Sequence, residues 1–154
     1  MDVSFITDPS QKEAYSLAIM HSLPQWFSPP EDIDRKAKIH RGYPFFAILD
    51  GEKPVAFAAV KIHNPYTADI YNMGVLEPYH HRGLGHQLVQ AVLGWCQKEG
   101  FTFLTVKTLD ESADYPPYNS TRAFYEKEGF LPLEVFTTFW DEENPCLFLA
   151  RTVK

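Results

Sequence analysis

The stretch from Tyr71 to Gln87, Tyr-Asn-Met-Gly-Val-Leu-Glu-Pro-Tyr-His-His-Arg-Gly-Leu-Gly-His-Gln, narrows the fold more than any other part of the chain. A β-rich run empties into a turn that holds Gly83 and Gly85, and the turn opens a helix. Leu84, Leu88, Ala91, Val92 and Trp95 recur at helical spacing and predict one apolar stripe that packs the helix back on a sheet. Gly100 predicts its end. The first turn of such a helix presents N–H groups with no intrahelical partner, and the helix dipole adds partial positive charge there, so the spacing predicts an anion site suited to phosphate. Gly83 and Gly85 let the chain bend and a ligand approach the backbone.

What the turn lacks narrows the ligand. A dinucleotide fingerprint needs a third glycine where this chain has Leu88, and a mononucleotide P-loop needs Lys-Ser or Lys-Thr where it has His86-Gln87. Composition excludes more. The 154 residues suit one domain, and with 45% apolar and 15% aromatic residues the chain is expected to pack an ordinary core. A formal charge of −6 without clustered Lys and Arg argues against nucleic-acid binding and is compatible with a cationic small substrate. No basic leader precedes an apolar run, and no apolar segment reaches the roughly 18–20 residues of a membrane helix. No membrane contact is expected, and a cytoplasmic location is. Cys96 and Cys146 are too isolated for a disulfide framework or a zinc site. The adjacent His80 and His81 lack a third ligand, and no metal is expected.

Along the chain, Val3 to Thr7 reads as a strand. Asp8-Pro9 offers a cap and first-turn proline for a helix through about His21, with Ala14, Leu17, Ala18 and His21 inward. Leu23 to Pro30 breaks regularity with three prolines, and Glu31 to about Arg41 restarts as a helix with Ile33 and Ala37 inward. Phe45 to Leu49 and Val55 to Ile62 flank the turn Asp50-Gly51-Glu52-Lys53-Pro54 and predict an antiparallel hairpin, to which Thr67 to Val75 adds a third member. A strand at Thr102 to Leu109, a short helix at Thr121 to Glu128 and strands near Phe130 to Phe139 and Cys146 to Thr152 complete the order βαα-βββ-α-β-α-ββ. That order predicts a mixed α/β fold with a largely antiparallel central sheet flanked by helices. Apolar strand edges leave a homodimer open.

His80-His81-Arg82-Gly83-Leu84-Gly85 behind Val75 resembles the phosphate-binding signature of the GNAT superfamily of acetyltransferases, Q/R-x-x-G-x-G/A. His80 stands where Gln or Arg is usual, and His81 where a small residue is common. Arg122-Ala123-Phe124-Tyr125-Glu126-Lys127-Glu128-Gly129-Phe130 resembles the same family's late helix and following strand, written F/L-Y-E-K-x-G-F. The two motifs stand in the family's order, and the resemblance covers most of the chain.

The resemblance implies acetyl-coenzyme A as donor and an amine, on a small molecule or a protein, as acceptor. Backbone amides from His80 through Arg82, Gly83, Leu84 and Gly85 to His86 would hold the pyrophosphate. The Val75 N–H would polarise the thioester carbonyl, and Met73 would pair with the pantetheine amides. Tyr125 would protonate the leaving thiolate. Asn119 would contact the cofactor, although it lies one position off the usual Asn, with Tyr118 in that slot.

Acyl transfer to an amine also needs a base, because an alkylammonium holds its proton to a pH of about 10.4. Asp69, six residues before Val75, stands where several members carry a carboxylate base, and strand alternation predicts it on one face with Tyr71, Met73 and Val75. His63, Glu77 and His21 are reserves. Trp26 and Phe27, between Pro24 and Pro29, form an exposed-looking aromatic pair that can enclose the acceptor or cap the core; Trp140 beside Asp141-Glu142-Glu143 carries the same alternatives. Cys96 lies within the helix, away from the N-terminal end where a thiol becomes a nucleophile, so direct attack in a ternary complex is expected. A coenzyme A-binding module without turnover is the alternative.

Overall fold

The computed structural model describes residues 1–154. Its elements run β1 (Val3–Ile6), α1 (Pro9–Met20), α2 (Pro30–Ile39), β2 (Phe45–Asp50), β3 (Lys53–Asn64), β4 (Thr67–Val75), α3 (Leu84–Glu99), β5 (Phe103–Leu109), α4 (Asn119–Lys127), β6 (Leu131–Asp141) and β7 (Asn144–Thr152). The strands form a seven-stranded sheet in the order β1-β2-β3-β4-β5-β7-β6. Only β4 and β5 run parallel. The element order is the one expected from the sequence, and no helix is long and apolar enough to cross a membrane.

Local chemistry explains the boundaries. Asp8 caps α1 by accepting the Ser10 N–H, with Pro9 at the first helical position. Gly100, at φ +87°, ends α3. Residues Val55 to Val60 of β3 are fully buried because helices cover both faces of the sheet. On one face α1 packs so closely that a Cβ on Gly74 would sit 3.1 Å from Leu23 and 3.3 Å from Ile19. On the other, α3 brings Gly85 against Phe124 of α4 and Met73 of β4.

Three expectations need correction. The inward face of α1 is Lys12, Ser16, Ile19 and Met20, while Ala14, Ala18 and His21 face out. Hydropathy misassigns it because two of the buried positions are polar and satisfied: Lys12 Nζ donates to the Tyr43 carbonyl at 2.7 Å, and Ser16 meets His40 at 2.8 Å. Phe27 is buried and Trp26 half-buried, so this aromatic pair is part of the wall of the molecule and not an exposed one.

The third concerns β4. Asn72 pairs with Ala59 and Ile70 with Val60, leaving Tyr71 as an extra residue in a bulge. Pairing partners share a face, so Asp69 (opposite Lys61) lies with Asn72 and Gly74, and Ile70 with Met73 and Val75. The predicted common face of Asp69, Met73 and Val75 does not exist. A one-residue bulge flips everything before it.

Candidate active site

The parallel ladder between β4 and β5 covers only Thr67–Ile70 against Phe103–Val106. Beyond it the two strands continue to Val75 and Leu109 without pairing. Because the Leu76 N–H turns toward β3, where it donates to the Val55 carbonyl at 2.9 Å, alternation turns the N–H groups of Val75 and Met73 into the gap. A cavity of ≈ 760 Å³ occupies that gap, walled by Met73, Gly74 and Val75 on one side and Val106, Lys107 and Thr108 on the other. The Thr108 hydroxyl is buried there with no partner in the protein. We call this cavity the slot.

The slot ends at the first turn of α3. Gly83 stands at the N-cap with φ +79°, and no side chain caps the helix, so its first N–H groups are free for a ligand. His81 before it also takes a left-handed backbone, φ +63°. His81, Gly83, Leu84, Gly85 and His86 all line the slot. His80 lines it differently from a phosphate ligand: its Nε2 donates to the Val75 carbonyl at 2.6 Å, which ties the turn to the end of β4. His86 Nδ1 lies 2.9 Å from Glu128 Oε1. Arg82 turns away, its guanidinium 5.1 Å from the Tyr79 ring centre, and does not wall the slot.

Tyr125 reaches the slot from α4, packed edge-on against Phe124 at 5.3 Å and Phe130 at 5.7 Å. Burial, then the neighbouring Tyr118 and Asp69, push its phenol well above the usual tyrosine range, so it keeps its proton at any physiological pH. Asn119 is outside the slot; it accepts a hydrogen bond from Arg122, and Tyr118 lines the slot in its place.

A second, wider cleft of ≈ 1150 Å³ opens on the α1–α2 side of the sheet and shares Trp26, Lys36, Tyr71, Asn72, Lys107, Tyr118 and Trp140 with the slot. Its roof is stitched from two distant loops: Trp26 Nε1 donates to the Pro117 carbonyl at 3.0 Å, and the Tyr118 hydroxyl to the Trp26 carbonyl at 2.6 Å. Burial pushes the Tyr118 phenol up to about 12, so it is a donor there.

Asp69 is buried in the floor of this cleft, 3% exposed, and accepts from Thr105 Oγ1 at 2.6 Å. Lys107 Nζ lies 3.7 Å and His63 Nε2 3.9 Å from Asp69 Oδ1. The Lys107 ammonium also rests on the rings of Phe139 and Phe148, 5.4 and 5.1 Å from their centres. Of the reserves, His63 shares the cleft, His21 is paired with Asp34 at 2.9 Å outside it, and Glu77 is exposed on the surface. Sequence reasoning missed Lys107, Tyr118, Thr108 and Asn72 as site residues. Only Tyr118, noted in the slot of the usual Asn, left any signal.

Behind the cleft His40 is wholly buried and bonded at both ring nitrogens, to Ser16 Oγ at 2.8 Å and Asn72 Oδ1 at 2.7 Å. Burial pulls its imidazole down to about 4 from 6.5. The unfolded chain then binds a proton between those values that the folded one refuses, so stability is full above pH 6.5, falls as pH drops through the window and levels below about 4. At about 1.4 kcal/mol per pH unit the loss is about 3 kcal/mol. Urea midpoints between pH 7 and 4 should show this slope, and His40→Gln should remove it. An equal slope in the variant would assign the acid loss to other groups.

Cys96 and Cys146 are buried and lie outside both cavities, and burial pushes their thiols up to about 12 and 11.

A splayed pair of parallel strands leading to an uncapped helix end is a receptacle for an extended molecule with an anionic head. The chain matches the acetyltransferase (GNAT) family over residues 12–130 and belongs to that family. No curated protein matches it in sequence. Among solved structures it is similar to a protein from Desulfovibrio desulfuricans assigned to the GNAT family, with a TM-score of 0.82 and 21% identity over 99% of this chain and 98% of that one. An aminoglycoside 6'-N-acetyltransferase complexed with coenzyme A superposes with a TM-score of 0.79 at 14% identity, over 100% and 98%. The ribosomal-protein-S18-alanine N-acetyltransferase from Escherichia coli gives 0.76 at 16%, over 99% and 94%. At these identities the likeness is one of fold.

Proposed function

We propose that the protein transfers the acetyl group of acetyl-coenzyme A to a primary amine by direct attack in a ternary complex. The observation that carries this reading is the gap between β4 and β5, which runs from the uncapped end of α3 to the cleft holding Asp69. The unpartnered Thr108 hydroxyl in its wall fits a ligand with amide groups. Acetyl-coenzyme A supplies an activated thioester.

The chain's residues do the rest. The first-turn amides of α3 and the preceding turn hold the pyrophosphate, without a direct part for Arg82. The N–H groups of Met73 and Val75 orient the arm of the donor, and that of Val75 aims at the developing oxyanion. Asp69 takes the proton of the acceptor amine, directly or through a water, and Tyr125 gives one to the leaving thiolate. The buried, proton-bearing Cys96 and Cys146 thiols support attack without a cysteine intermediate. Trp26 walls the acceptor side, and Phe27 lines the slot from the buried core.

Free-thiol release from acetyl-coenzyme A, measured with spermidine, kanamycin, an alanine-terminated peptide and ethanolamine, tests this. At least one amine should raise the rate tenfold or more over the amine-free rate. Tight cofactor binding with no acceleration by any of them would make the protein a binding module.

A further inference from the structure

The cleft holds more positive charge than its inner carboxylates answer. Lys61 lies on β3 directly opposite Asp69 on β4, and both line the cleft. Lys61 is half-buried there, yet no carboxylate oxygen comes within 4.0 Å of its Nζ. The carboxylate facing it, Asp69, is already shared among Thr105 Oγ1, Lys107 Nζ and His63 Nε2, at 2.6, 3.7 and 3.9 Å from Oδ1. On α2, Arg35 and Lys36 divide Asp32 between them, at 2.7 and 3.2 Å. The other acids of the lining belong to the exposed β6–β7 turn, where Asp141 accepts the N–H groups of Glu143 and Asn144 and Glu143 faces water. Inside, Asp32 and Asp69 face the permanent cations Arg35, Lys36, Lys61 and Lys107, an excess of positive charge in a chain whose overall charge is −6. An ammonium drawn out of water calls for a partner.

The order of strands gives this excess a direction. β3, β4 and β5 are neighbours, so Lys61 and Lys107 flank Asp69. Lys107, two residues past the Thr105 that pairs with Asp69, borders the slot, whereas Lys61 lines only the cleft, on the side of Asp69 away from the donor. An amine that gives its proton to Asp69 can extend its remaining atoms over Lys61, one strand spacing of roughly 4.8 Å away. A cationic tail is repelled there and a hydrocarbon one leaves the ammonium unanswered. An anionic tail pairs with it in a half-buried place that salt screens little. We propose that Lys61 is a specificity-determining residue that binds a carboxylate or phosphate carried a few bonds from the acceptor's amine, so that the acceptor class is an amine with an anionic group and not a polycation. The inference rests on the acetyl-transfer reading and adds the charge of the acceptor's far end.

Matched acceptors test the assignment through kcat/KM, read by thiol release: β-alanine against propylamine for a carboxylate, and phosphoethanolamine against ethanolamine for a phosphate. In at least one pair the wild-type protein should favour the anionic member by about tenfold or more, and the larger ratio tells which anion the site takes. Lys61→Gln should lower that ratio by about threefold or more, Lys61→Glu should lower it further, and Lys61→Arg should keep most of it. The Kd of acetyl-coenzyme A by calorimetry should stay within about threefold in all three variants and reports an intact fold. Intrinsic differences between the amines cancel when ratios are compared across variants, and a merely structural Lys61 would shift both members of a pair together. A wild-type ratio below tenfold in both pairs, or a smaller change in Lys61→Gln, overturns the proposal and leaves acetyl transfer standing. Tight cofactor binding with transfer to no amine overturns both.

Discussion

Tyr125→Phe should lower kcat by about a hundredfold or more while the Kd of acetyl-coenzyme A changes by less than threefold. The ring is held by Phe124 and Phe130 through contacts a phenylalanine keeps, so the substitution removes one hydroxyl and little packing. That hydroxyl is the only part of the residue able to hand over a proton. Its environment favours the role, because burial holds the phenol protonated over the whole range in which an amine becomes a nucleophile. The wild-type pH profile should therefore show no falling limb from this group below pH about 10. Equal kcat in the variant would reduce Tyr125 to a core aromatic, and a parallel loss of cofactor affinity would make it a wall of the slot.

Asp69→Asn should cost about a hundredfold to a thousandfold in kcat/KM for the acceptor. The amide keeps an oxygen for Thr105 Oγ1 and removes the charge facing Lys107. Lys107 retains its seat on Phe139 and Phe148, which limits collateral rearrangement. A thermal melt of the variant separates lost chemistry from lost fold. An unchanged kcat/KM in the folded variant would remove Asp69 as base and turn attention to His63, 3.9 Å away in the same cleft.

Much of this was legible from local pattern. The uncapped α3, its glycines and its stop at Gly100 follow from propensities that act within one turn, and the hairpin of β2 and β3 from its Asp-Gly turn. The same locality explains the failures. A bulge leaves no mark in composition, so the face of Asp69 was assigned by an alternation that Tyr71 interrupts. The inward face of α1 hid behind Lys12 and Ser16, whose partners Tyr43 and His40 lie about one helix and a loop away. Asn72, Lys107 and Thr108 acquire meaning only when β4 and β5 separate, and separation is the absence of pairs that no single strand encodes. Arg82 shows the converse: a cation inside a matching motif was drawn to an aromatic neighbour, Tyr79, that hydropathy does not flag.

The strand order carries a consequence for assembly. Strand β6 has β7 as its sole neighbour, yet β7 follows it in the chain and also zips along the whole of β5 from Phe103 to Leu109. A nascent polypeptide therefore releases β6 before anything exists for it to lie against, and β5 waits with one flank bare. Completion of the sheet is postponed to the arrival of residues 144–152, a late, long-range event of the kind that slows folding and gives chaperones time to act.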